Sequence, residues 1–233
     1  MRISYLLLLF CIYSEAFSTT NIQLLYGDFD DNSYVYDTKN GGKTTATLEH
    51  FRTWEYGDLF LFTDYCVADE RFKYQDKRTD LYGEIAPRIS LSKVGGKELS
   101  FLFVQDVYLA FQANLGEDYE AYLSGIGVDL KIPGFDVFGV NLYYKDQNIG
   151  DDTIQLSLNY LIRNIMNTSL EIDGFVDWSE DDFLTQNQLL YNLDKTLEMK
   201  EDKFYIGTEW HYFKLKNSNV LSNTFQIMMK YRW

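Results

Sequence analysis

The side chains able to do chemistry in this sequence recur at every second position. Tyr82 and Glu84 are followed in the same phase by Arg88, Asp129 by Lys131, Tyr143 by Lys145, and Asp173, Phe175 and Asp177 form one series. Positions two apart share a face of an extended strand, so each series is a short wall of rings and hydrogen-bonding groups. Rings offer a π face for stacking, while carboxylates and guanidinium groups offer acceptors and donors. Such a wall binds a polar solute without reacting with it. On the clearly alternating strands the acids Glu84, Asp129, Glu171, Asp173 and Asp177 meet the bases Arg88, Lys131, Lys145, Arg163, Lys230 and Arg232. Glu49, Asp64, Asp106 and Glu209 join them from segments whose register is less distinct. A lumen of mixed sign predicts passage of neutral polar solutes rather than ion selectivity. Pairing of these charges with one another is the expected role of most of them.

Covalent catalysis needs a nucleophile held beside a base. The chain has two histidines, His50 and His211, and neither lies in a motif with a nucleophilic Ser. Glu209 and His211 share a strand face, which suits an acid–base or metal pair, but an inert histidine at a barrel rim is the expectation. Gly41-Gly42 and Gly95-Gly96 read as turns, not phosphate loops. Glu117-Asp118 and Glu180-Asp181-Asp182 read as solvated loop tips, with divalent cations or bridged lipopolysaccharide as the alternative. The sequence therefore predicts no enzyme, no metal and no cofactor. A net charge of −14 argues against a nucleic-acid partner.

The elements that carry these walls begin after a leader. Met1-Arg2 is a short positive region, Ile3 to Tyr13 is almost unbroken apolar sequence, and Ala16-Phe17-Ser18 supplies small residues at a cleavage site. Residues 1–18 are thus expected to be a secretory signal peptide and 19–233 the mature domain. Cys11 leaves with the leader, so Cys66 has no partner and a disulfide framework is excluded. Two prolines and no low-complexity tract argue for one domain.

Aromatic residues make up 17% of the chain, yet the mean hydropathy is −0.27 and no long segment shows helical periodicity. Alternation recurs instead, over 21–29, 44–54, 58–65, 80–92, 99–112, 120–132, 135–145, 152–163, 167–178, 183–193, 203–215 and 222–233. Leu81, Ile85, Pro87, Ile89 and Leu91 oppose Tyr82, Glu84, Arg88, Ser90 and Ser92. Ile154, Leu156, Leu158, Tyr160 and Ile162 oppose Gln155, Ser157, Asn159 and Arg163. The register of 99–112 and 183–193 is ambiguous. An even count of strands near ten residues long fits an all-β, transmembrane antiparallel up-and-down barrel of the outer membrane. A soluble sandwich or lipocalin-like barrel would alternate in the same way. However, twelve strands enclose a lumen too wide to fill with Leu and Ile, which favours a polar interior and an apolar exterior. With both termini periplasmic, the connections are expected to run long outside and short inside, a rhythm that breaks at 194–202.

The last strand is the most specific signal. Phe225, Ile227, Met229, Tyr231 and Trp233 alternate to the final residue, a pattern resembling the signal read by the barrel assembly machinery. Outer-membrane lipid and lipopolysaccharide are the expected surroundings.

Five ordered motifs carry a family resemblance: Leu48-Glu49, Glu84-Ile85-Ala86-Pro87-Arg88-Ile89-Ser90, Leu99-Ser100-Phe101, Gly125-Ile126-Gly127-Val128-Asp129 and Phe175-Val176-Asp177-Trp178. Their order and spacing from Thr47 to Trp178 resemble the nucleoside-specific channel-forming proteins, the Tsx family. The resemblance implies a monomeric twelve-stranded barrel with a narrow, mostly occluded pore passing nucleosides and similar small polar solutes by diffusion. On that reading Tyr82, Glu84, Arg88, Asp129, Tyr143, Asp173, Phe175 and Asp177 are the candidate solute-binding residues of the lumen. A non-conducting structural or recognition barrel is the alternative, and an outer-membrane hydrolase a third.

Overall fold

The computed structural model describes residues 17–29, 41–69, 77–194, 196–199 and 203–233. Its strands are β1 Ser18–Asp28, β2 Gly42–Trp54, β3 Gly57–Ala68, β4 Thr79–Ser90, β5 Val104–Gly116 and β6 Glu120–Leu130. Then follow β7 Val137–Gln147, β8 Thr153–Ile162, β9 Leu170–Ser179, β10 Asp182–Asn192, β11 Phe204–Leu215 and β12 Leu221–Arg232. Each pairs antiparallel with its sequence neighbours, and β12 returns to pair with β1, from Asn21↔Arg232 to Gly27↔Gln226. The result is the closed twelve-stranded barrel that the alternation predicts. Closure leaves no free sheet edge, the condition for β-structure to cross a bilayer.

Burial is inverted relative to a water-soluble core. On β12, Phe225, Ile227 and Met229 are 71%, 67% and 57% exposed, while Gln226, Met228 and Lys230 between them are buried. Ile22 and Leu24 face outward on β1, with Asn21 and Gln23 buried inside. Apolar side chains thus form the outer surface, where lipid rather than water is their solvent. One departure is satisfied locally: on the outer face Tyr160 lies over Gly174 and donates to Asn187, whose amide donates to Thr185 Oγ1 at 2.9 Å. Among the described residues no helix is long and apolar enough to cross a membrane, and the strands do the crossing.

Three sequence expectations are corrected. The segment 80–92 does not stay extended: the strand stops at Ser90, whose side chain accepts from Lys93 N and caps a short helix, α1 Leu91–Gly95. Gly96, with φ 62°, closes that helix in the left-handed region. The next strand consequently starts at Val104 and not at 99, with Phe101 and Val104 forming only an isolated bridge. The loop rhythm reverses after β4. Connections at the rim opposite the termini shrink to residues 117–119 and 180–181, whereas those at the terminal rim span 91–103 and 193–203. Finally, Lys131 falls beyond the end of β6 and is exposed, so it does not belong to the lumen wall. Most of the expected leader lies outside the described residues. Phe17 and Ser18 are described, Ser18 pairing with Arg52.

Candidate functional site: the lumen

The inward faces enclose a cavity of ≈ 740 Å³. Phe17, Arg163, Arg232 and Trp233 line it at the terminal rim, and Phe29, Lys43 and Cys66 line it toward the far rim. Tyr82, Glu84, Arg88, Tyr143, Asp173, Phe175 and Asp177 all line this cavity, as their alternation requires. Asp129, whose side chain is 28% exposed, accepts from both Arg88 and Tyr108 and so supports the Arg88 side chain.

That support is a clamp. Adjacent strands bring Asp58 opposite Arg88, because β3 and β4 pair in that register. Arg88 donates through Nε and Nη2 to the two Asp58 oxygens, each at 2.8 Å. Its Nη1 reaches Asp129 Oδ1 at 2.8 Å, and its guanidinium lies 4.2 Å from the centroid of the Tyr108 ring. Tyr108 closes the group by donating to Asp129 Oδ2 at 2.9 Å. A planar fork facing two carboxylates is the arrangement in which Arg cannot be replaced by Lys without loss.

The opposite wall has its own ion-pair group. Lys230 contacts Asp173 at 3.1 Å and Gln188 at 3.2 Å. Arg232 contacts Glu171 at 2.6 Å and the Tyr205 hydroxyl at 3.0 Å. A ladder of amides continues from it: Gln188 donates to Gln23 and to Glu209, and Gln226 donates to Glu209 at 2.8 Å. Both groups sit in the half of the barrel nearer the termini, where they satisfy charges that would be costly to leave alone in a restricted lumen.

Between these groups runs an aromatic stripe. Phe60, Phe62 and Tyr82 line the cavity with centroids 6.0 and 5.9 Å apart in succession. Glu84 flanks it, accepting from Tyr82 at 2.5 Å and Gln112 at 2.9 Å. Phe175 and Asp177 face the same cavity from β9. Tyr143 is only 2% exposed and packs with Ala110, Ala121 and Leu123. Across the ladder Gly125 lets the two backbones approach, since a Cβ there would fall 1.9 Å from the Leu142 carbonyl oxygen and 2.9 Å from the Tyr143 Cα.

Sequence reasoning missed several members. Phe60 and Phe62 escaped because Leu59 and Leu61 make the other face of β3 equally apolar, so that strand shows no contrast. Asp58 and Lys43 sit at strand ends, where alternation is too short to assign a face. His211 is not a rim residue: it is 2% exposed within the barrel, near Gln186 (3.2 Å) and the Phe29 ring (5.6 Å). Glu209 does share its face, but hydrogen-bonds to glutamines. Among the described residues no group of His, Cys, Asp and Glu is arranged to hold a metal ion.

Residues 33–220 match the family described as the nucleoside-specific channel-forming protein, Tsx. The chain belongs to this family. Two outer-membrane proteins OmpK, from Vibrio parahaemolyticus and its serotype O3:K6 strain RIMD 2210633, are similar to it. The first is 29% identical over 131 residues, covering 52% of this chain and 49% of the relative. The second is 32% identical over 140 residues, covering 52% and 51%. The chain therefore spans about half the length of the curated relatives it matches. The KdgM porin, solved in complex with disordered oligogalacturonate, superimposes with a TM-score of 0.52 at 8% identity, covering 91% of this chain and 98% of the porin. At that identity the likeness concerns the fold alone. The Tsx-family chain is accordingly an outer-membrane β-barrel with a porin architecture.

Proposed function

We propose that this barrel conducts small polar solutes across the outer membrane by passive diffusion, and that nucleosides are the solutes its lumen suits best. The Phe60–Phe62–Tyr82 stripe carries the reading. Successive ring faces give a nucleobase a sequence-tolerant stacking surface, worth about 1–3 kcal/mol per base in other nucleic-acid sites. Glu84 and Asp177 beside it, with Gln112 and Gln186, offer acceptors and donors to ribose hydroxyls and base edges. Weak contacts suit conduction, because a tight site would hold the solute and block flux. Liposomes containing the purified barrel should take up uridine and adenosine faster than they take up a sugar of similar size. Uptake no faster than in empty liposomes would favour the non-conducting structural reading.

Two further assignments belong to this proposal. Residues 1–18 act as a leader removed on export, so Phe17 and Ser18, which pair with Thr53 and Arg52 in the full chain, leave with it and Thr19 opens the mature strand; sequencing the N-terminus of the membrane-extracted protein would test this. The alternating outward residues Phe225, Ile227, Met229 and Tyr231, ending at Trp233, act as the signal for barrel assembly. Trp233 pairs its backbone with Thr20 in both directions and stacks on Tyr231 at 5.7 Å, so it also seals the β1–β12 seam. Trp233→Asp should lower the amount of folded, heat-modifiable barrel in the outer membrane, whereas normal levels would contradict the assignment.

A further inference from the structure

The fixed charges of the lumen are sorted along its axis. In the half nearer the termini, Arg88, Lys230 and Arg232 are each held by carboxylates. Toward the far rim Lys145 pairs with Asp182 at 3.5 Å. Between them lie Glu49, Asp64, Glu84, Asp177 and Glu209, none of which forms an ion pair among the described residues. Their partners are neutral donors: Asn21 on Glu49, Thr47 on Asp64, Tyr82 and Gln112 on Glu84, Ser157 on Asp177, and Gln188 and Gln226 on Glu209.

A second observation points to what this belt accepts. Gln226 lines the cavity, is 4% exposed, and its Oε1 accepts no hydrogen bond among the described residues. Its amide nitrogen is fixed on Glu209, so turning the amide over would set oxygen against carboxylate. On the β7 wall, Asn141 Oδ1 is a buried cavity-lining acceptor in the same condition. Both of these amide oxygens are acceptors, the chemistry that suits a cation or an N–H group. The opposing groups are few. Lys43 stands above the belt, 3.9 Å over the Phe29 ring, and faces Asp64 and Glu209, while Lys145 faces Glu84 and Asp177, and Lys230 faces Glu49 and Glu209.

We infer that this mid-lumen belt makes the pore select small cations, including solutes that carry a protonated amine, over anions. The inference rests on the channel reading above and departs from the charge balance that the sequence suggests. A water-poor passage with one sign of uncompensated charge concentrates counter-ions and repels co-ions. The arginine and lysine donors that an anion would need are engaged elsewhere.

The test is the reversal potential of the full-length barrel in planar phosphatidylcholine bilayers under a KCl gradient, repeated with methylammonium chloride. At low salt, K⁺ and methylammonium should permeate several-fold more readily than Cl⁻. The ratio should fall toward one as KCl rises to 1 M, where screening acts within about 3 Å. The triple variant Glu84→Gln/Asp177→Asn/Glu209→Gln should lose most of the preference, and Glu98→Gln, exposed on the terminal rim, should keep it. A wild-type ratio at or below one in low salt would overturn the inference, as would a folded triple variant with unchanged preference. Should the triple variant fail to fold, the salt dependence of the wild type still decides. A barrel that passes no ions at all would instead overturn the channel reading itself.

Discussion

Arg88 and Glu84 stand four residues apart on the same inward face of β4, yet their surroundings are opposite. Arg88 is clamped between Asp58 and Asp129 and stacked on Tyr108, so its donors are used within the protein. Among the described residues Glu84 hydrogen-bonds with only a phenol and an amide, and it borders open space. The difference separates two uses of lumen charge. Near the termini, charges are matched in pairs that tie β3, β4 and β6 together on one side and β9 and β12 on the other. In the middle, charges are held in place by neutral hydrogen bonds and stay available to what passes.

Breaking the clamp should have the largest effect. Arg88→Ala leaves Asp58, 5% exposed, without its cation, and removing one partner of such a pair costs about 3–5 kcal/mol. Reversible unfolding in lipid vesicles should show that loss. The triple change Arg88→Met/Asp58→Asn/Asp129→Asn should recover much of it, since no charge is then left alone. A triple variant as unstable as Arg88→Ala would show that shape, not charge matching, is what the clamp supplies.

A second comparison sets the two faces of one strand pair against each other. Ile126 is 58% exposed on the outer face near the middle of β6, and Ile126→Arg should cost about 2–4 kcal/mol in the bilayer. Gln112→Arg, on the lumen side of β5 and within reach of Glu84, should cost markedly less. Equal losses in the two variants would mean that the outward face of β6 does not meet lipid.

How much of this was legible in sequence depended on contrast between faces. Where Ile154 and Leu156 alternate with Gln155 and Ser157, strand, face and lumen placement all follow from the pattern. Where Leu59-Phe60-Leu61-Phe62 is apolar on both sides, strand β3 was legible but its inward rings were not, and the aromatic stripe was lost with them. The helix at Leu91–Gly95 was hidden because Ser90 and Ser92 fit a polar strand face as well as they fit a cap. The pairing of charges was illegible for another reason. The acids and bases were nearly balanced in number, but balance along the chain says nothing of which carboxylate a given Arg reaches. Asp58, inconspicuous at the start of β3, takes the guanidinium that Glu84, four residues away, does not.

The smallest expected change sharpens the contrast between the belt and the stripe. Glu84→Gln keeps the acceptor and the contact with Tyr82, so nucleoside affinity should shift by less than about 1 kcal/mol. The same variant should alter ion preference measurably. A large loss of affinity would show that the charge of Glu84, and not just its acceptor oxygen, holds the nucleoside.

The most direct measurement of the central claim is single-channel current through the reconstituted barrel with and without nucleosides, for wild type, Phe62→Ala and Tyr82→Ala. The stacking stripe predicts a steady ion current in the wild type that adenosine and uridine reduce at saturable concentration. It predicts block weakened by roughly tenfold in each variant, about 1.4 kcal/mol, with the open current retained. Wild-type current indifferent to nucleosides, or block unchanged in both variants, would contradict it.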